Sequence, residues 1–137
     1  MTASAEAPRR GRRPRGAAES LGSIVLVFES LIVFLGGLAV FGLQALPPTI
    51  PAWWGIAGGA ALAALMLVTA GVLRYRWGIV LGWALQAVLL LAAFVLPALA
   101  LIALIFGGMW AYATIKGASL DRRNARLAAE AENANGD

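Results

Sequence analysis

The sequence contains no cysteine and no histidine among its 137 residues. Disulfides, thiolate nucleophiles, imidazole bases and the usual zinc ligand sets are therefore excluded. Charge is missing from the middle of the chain. Apart from Glu29, every Asp, Glu, Lys and Arg lies in residues 1–20, in the segment RYRWG that begins at Arg74, or from Lys116 onward. No second carboxylate accompanies Glu29 in the apolar runs, so paired acid–base chemistry has no residues there. The glycines of the middle of the chain sit inside apolar stretches, not between a strand and a helix, so no phosphate-cradling loop is present there. The composition thus argues against an enzyme, and it calls for no cofactor and no metal. What remains is hydrocarbon: 61% of the residues are hydrophobic and 13% charged, and the mean hydropathy is +0.79. Those values belong to a membrane protein.

A helix needs roughly 20 apolar residues to cross a bilayer core of about 30 Å. Residues 21–45 supply one span, ended by Pro47, Pro48 and Pro51, which lack backbone donors. Residues 53–73 supply a second, opened by a tryptophan pair and closed by Arg74, Tyr75, Arg76 and Trp77, all suited to a headgroup boundary. Residues 79–115 carry no charge, yet as one helix they would reach about 55 Å, nearly two bilayer thicknesses. A turn at Pro97 divides them into spans at 79–95 and 98–115. The expected fold is an all-α membrane protein, a bundle of four transmembrane helices.

Charge supports this count. With the N-terminus in the cytoplasm, all 11 basic residues fall on the inner side and the two outer turns hold none, as the positive-inside rule requires. Both termini are then cytoplasmic and the expected location is the plasma membrane, crossed several times. A cleaved signal peptide fits poorly, because the first apolar stretch exceeds the roughly 7–15 residues of such a segment and contains Glu29.

Residues 1–20 form an Arg-, Gly- and Pro-rich arm expected to be disordered. Its Arg9, Arg10, Arg12, Arg13 and Arg15 are candidates for contact with anionic lipid headgroups, at about 1 kcal/mol each. Arginine runs also occur in nucleic-acid-binding arms, but no aromatic residues interleave these, and no nucleic-acid partner is expected. Residues 117–137 read as a charged cytoplasmic tail, with Ser119 as N-cap of a short helix reaching about Glu132.

Within the membrane, small residues recur at Gly36, Gly37, Gly55, Gly59, Gly78, Gly82, Gly107 and Gly108. They let helix backbones approach closely in lipid. Packing inside one bundle, or a seam toward a homodimer or a larger membrane partner, would use them equally well. The polar residues gather toward the inner side. Glu29 lies about 12 Å beyond Leu21 and Gln86 about 10 Å beyond Ile79, so the two share a level. Thr69, Trp110, Tyr112 and Thr114 sit within six residues of the basic boundaries. Burying an ionised carboxylate in lipid costs several kcal/mol, so Glu29 should face the bundle and find a partner, or carry a proton. The expected cluster is Glu29, Gln86, Arg74, Arg76, Thr69 and Tyr112, with Gln86 or one of the two arginines holding the carboxylate.

The runs ESLIVFLGGLAVFGL, AGVLRYRWGIVLGWALQ and GGMWAYATIKG, with Glu29, Arg74, Gly78, Gly82, Trp83, Gln86 and Trp110, resemble the uncharacterised four-span membrane proteins of actinobacteria whose gene commonly adjoins that for folylpolyglutamate synthase. The resemblance covers about residues 20–120 and implies lineage without an activity. A membrane Glu in the first helix also invites comparison with small multidrug transporters, but their dual topology needs weak charge bias and their aromatic cage is missing here. Two readings of function stand: a non-enzymatic accessory or scaffold protein in which Glu29 is a fixed clamp, or a small proton-coupled transporter in which Glu29 is the coupling acid.

Overall fold

In the computed structural model, residues 14–136 are described and form four helices. Helix α1 spans Ala17–Gly42. Its buried residues, Gly22, Val25, Leu26, Glu29, Ser30, Val33, Gly36, Gly37 and Val40, follow the three- and four-residue spacing of one helical face. The helix stops before the prolines. Gln44 takes φ 52°, in the left-handed region, and its N–H donates to the Phe41 carbonyl at 3.2 Å while that of Ala45 donates to the Val40 carbonyl at 3.1 Å. This is a Schellman closure, with glutamine at the position usually given to glycine.

Helix α2 (Trp54–Val72) begins at the stacked pair Trp53 and Trp54, whose ring centroids are 4.8 Å apart. A short turn at Leu73–Tyr75 leads into α3 (Arg76–Ala92). That helix starts and ends three residues before the span expected from charge and Pro97. At its start, the Tyr75 N–H closes a turn on Val72. At its end, the residue before a proline is disfavoured in helical geometry, and the chain unwinds ahead of Leu96.

Helix α4 is continuous over Ala98–Asn135, a length of about 57 Å. The expected break at Ser119 does not occur. Ser119 lies inside the helix and caps nothing, because the Ala-, Leu- and Arg-rich residues that follow favour helix and no proline interrupts them. The terminal third of α4 is exposed on all sides.

Helix α1 packs on α2 and α4, and α3 on α4 and α2. Consecutive helices are thus neighbours in an alternating bundle, with α1 and α3 facing across its diagonal. Every described basic residue lies at one end, where the start of α1, the α2–α3 turn and the region of α4 after Lys116 meet. The core contains Val25, Leu26, Met66, Leu73, Leu85, Leu89 and Trp110. Outside it the surface is apolar, with Phe28, Val80, Phe94 and Leu104 all more than 60% exposed. Such a surface suits lipid. Three of the helices are long and apolar enough to cross a membrane, and α3, with 17 residues, is a shorter apolar helix. The protein is a multi-pass membrane protein.

Candidate functional site

Glu29 is fully buried. It reaches the diagonal of the bundle because it lies on the same face of α1 as Leu26 and Val33, and Gln86 reaches the same place from the face of α3 that also carries Gly82, Leu85 and Leu89. Nε2 of Gln86 donates to Oε2 of Glu29 at 2.7 Å. This bond ties together two helices that are not packing neighbours. The Trp110 indole, also fully buried, lies on Gly82, where any side chain would collide with the ring. It approaches α1 as well: a Cβ at Gly22 would come within 3.3 Å of the ring.

Three buried polar atoms around this pair have no partner among the described residues: Glu29 Oε1, Gln86 Oε1 and Trp110 Nε1. Those of Gln86 and Trp110 lie on the α3–α4 seam, about one helical turn apart. Gln86 Oε1 would lie 3.6 Å from a Cβ at Gly107, one turn from Trp110, while Trp110 covers Gly82, one turn from Gln86. A carboxylic proton on Glu29 Oε1 would add a donor to this group, and Gln86 Oε1 is an available acceptor.

The wider expected cluster does not assemble. Arg74 and Arg76 are exposed and do not reach Glu29; the Arg74 guanidinium lies over the Tyr75 ring, 4.6 Å from its centroid. Leu73 takes the inward position, 3% exposed, against Gly22, which turns the next residue away from the core. Thr69 is buried, but its hydroxyl donates to the Leu65 carbonyl at 2.7 Å, and those of Ser30 and Thr114 likewise turn back on their own helices. Tyr112 is 66% exposed. Positions two apart on a helix differ by about 200°, so Trp110 and Tyr112 cannot both face inward.

The glycines divide by role. A Cβ on Gly37 would meet the Gly55 carbonyl at 2.7 Å and the Gly59 Cα at 2.8 Å, so these three bring the α1 and α2 backbones into contact. Gly36 makes room for Leu99, and Gly78 lies against the Val72 carbonyl inside the α2–α3 turn. Gly108 packs on nothing within 4 Å and borders a shallow apolar groove between α1 and α4. Of the arm, Arg15 is exposed and pairs with Glu19 at 3.6 Å, and Ala17 to Ser20 already belong to α1. Arg9, Arg10, Arg12 and Arg13 lie outside the described residues.

Sequence reasoning missed Asp121. Its Oδ1 accepts from the Ala17 N–H at 2.6 Å and its Oδ2 from that of Ala18 at 3.2 Å. A carboxylate on α4 therefore caps α1 from 103 residues away in sequence. Gly117 permits this, because a Cβ there would strike the backbone of Ala18. There was a signal: α1 opens with Gly16, Ala17 and Ala18, none of which has a side-chain acceptor, so its free N–H groups needed one from elsewhere. Among the described residues, no group of three or more Asp or Glu side chains gathers to hold a metal.

A family model described as "Protein of unknown function (DUF4233)" matches residues 20–126. That segment holds the Glu29–Gln86 pair, Trp110 and Asp121. No curated protein and no solved structure matches the chain. With most of its length matched, the chain belongs to the DUF4233 family.

Proposed function

We propose that this is a non-enzymatic accessory or scaffold protein of the plasma membrane, with both termini in the cytoplasm. The enclosure of Glu29 carries this reading: the one carboxylate of the apolar region is fully buried and bonded to Gln86. It does not line the apolar groove between α1 and α4. Such a residue clamps helices. The exposed end of α4 supports the same reading, since a rigid helix that continues past the bundle is a natural platform for a larger membrane partner.

The orphaned Oε1 atoms favour one rival, a small proton-coupled transporter in which Glu29 takes up and releases a proton. Reconstitution into liposomes separates the two. A clamp predicts no dissipation of an imposed pH gradient, and a Glu29→Gln protein that folds and melts within about 1 kcal/mol of the parent, because glutamine keeps an acceptor for Gln86. Proton or solute flux that disappears in Glu29→Gln would overturn the scaffold reading.

A further inference from the structure

The basic end of the bundle contains a cavity of about 1380 Å³ between the start of α1, the α2–α3 turn and α4. Arg15, Glu19, Arg74, Tyr75 and Asp121 form its polar side; Leu73 and Ile79 contribute apolar wall. Of its four charged side chains, two arginines and two carboxylates, one pair is in contact. Arg15 faces Glu19, and Asp121 is taken up by the N–H groups that open α1. Arg74 is left over: among the described residues it has no carboxylate within 4 Å. Its guanidinium rests on Tyr75, and Tyr75 stacks in turn with Trp77, the ring centroids 6.3 Å apart. Stacking on a ring holds the planar fork in place while leaving its N–H groups free along the edge.

A guanidinium held on a ring with no carboxylate in contact is a phosphate or carboxylate receptor. Two observations choose between a soluble anion and an amphiphile. The cavity joins this guanidinium to apolar walls. It is also open on the α2 side at Gly71, an exposed position with nothing within 4 Å of where a Cβ would stand. A chain-bearing ligand can lie along that opening. The exposed Tyr75 and Trp77 mark this level as a membrane–water boundary.

We propose that this cavity binds one anionic phospholipid of the adjoining leaflet, with Arg74 as the ligand of its phosphate and Tyr75 as the plate that orients Arg74. The site is distinct from the general attraction of a basic surface for a negative membrane, because it depends on one arginine and not on its neighbour. Arg76 is the internal control, exposed on the same segment but outside the cavity lining.

The test uses the full-length protein, delipidated in a neutral detergent and titrated with phosphatidylglycerol or phosphatidylcholine, with bound lipid counted by native mass spectrometry. One phosphatidylglycerol should bind in preference to phosphatidylcholine. Arg74→Gln should weaken it by about tenfold, the size expected for losing a charge-assisted contact, and Arg76→Gln by less than about twofold. Arg74→Lys should recover part of the loss, since charge survives but the stacked fork does not. Circular dichroism of each variant controls for folding, and Arg74 is exposed enough that no core packing is at stake. Inorganic phosphate at millimolar concentration should not displace the lipid. Equal losses in Arg74→Gln and Arg76→Gln, equal binding of the two lipids, or full displacement by inorganic phosphate would each overturn the proposal.

Discussion

The α1–α2 seam and the α3–α4 seam both depend on glycine, yet they use it in opposite ways. Between α1 and α2, Gly37 meets Gly55 and Gly59, and what touches is main chain. Between α3 and α4, Gly82 receives a side chain, the Trp110 indole. A backbone contact cannot be relieved by changing a side chain on the other side. A ring lying on a glycine can. The first seam therefore tolerates no added atom, whereas the second is a matched pair whose members should be exchangeable together.

Several substitutions would break or sharpen this contrast. Trp110→Ala should have the largest effect, because it empties the centre of one seam and also strips the contact with Gly22; a loss of roughly 3–5 kcal/mol is expected in reversible unfolding from mixed micelles. Next, Gly37→Ala and Gly82→Ala should each cost about 1–3 kcal/mol through overpacking. The Gly82→Ala loss should be largely recovered by pairing it with Trp110→Phe, giving a favourable coupling in a double-mutant cycle. Gly37→Ala should find no such rescue from shortening Val33 or Val40. If a smaller neighbour rescued both equally, the two seams would not differ in kind.

Asp121→Ala addresses the third junction, where α4 holds the start of α1 by hydrogen bonds to a carboxylate as well as by the close approach at Gly117. It should cost about 1 kcal/mol and show up first as faster amide exchange in the opening turn of α1. The smallest effect is a gain. Gln44→Gly removes the strain of a left-handed glutamine at the α1 closure and should raise stability by about 0.5–1 kcal/mol.

Much of the frame was legible in the residue order. Four helices, the basic residues gathered at one end and the shared level of Glu29 and Gln86 follow from span length, charge position and rise per residue. Gln86 was one of three named partners for Glu29, and depth alone could not choose among them. The choice turned on rotation: Leu73 points inward, so Arg74 points out, and Trp110 inward excludes Tyr112. The helical period was available to separate Trp110 from Tyr112, but grouping residues by depth ignored it. The continuity of α4 through Ser119 was missed because a serine before charged residues resembles a cap, although nothing in that stretch breaks a helix.

The sequence by itself determined which segments enter lipid and which end carries the charge. Those are sums of local transfer costs, one residue at a time, and need no knowledge of neighbours. Only the tertiary structure decided which faces meet. A helix such as α2 is apolar on nearly every side, so its exposure to lipid says little about its orientation, and close approach at Gly55 and Gly59 selects it instead. The same holds for the Glu29–Gln86 bond and the Asp121 cap. The first joins residues 57 apart and the second residues 103 apart, and each exists only once the helices have been rotated into register by the shapes packed around them.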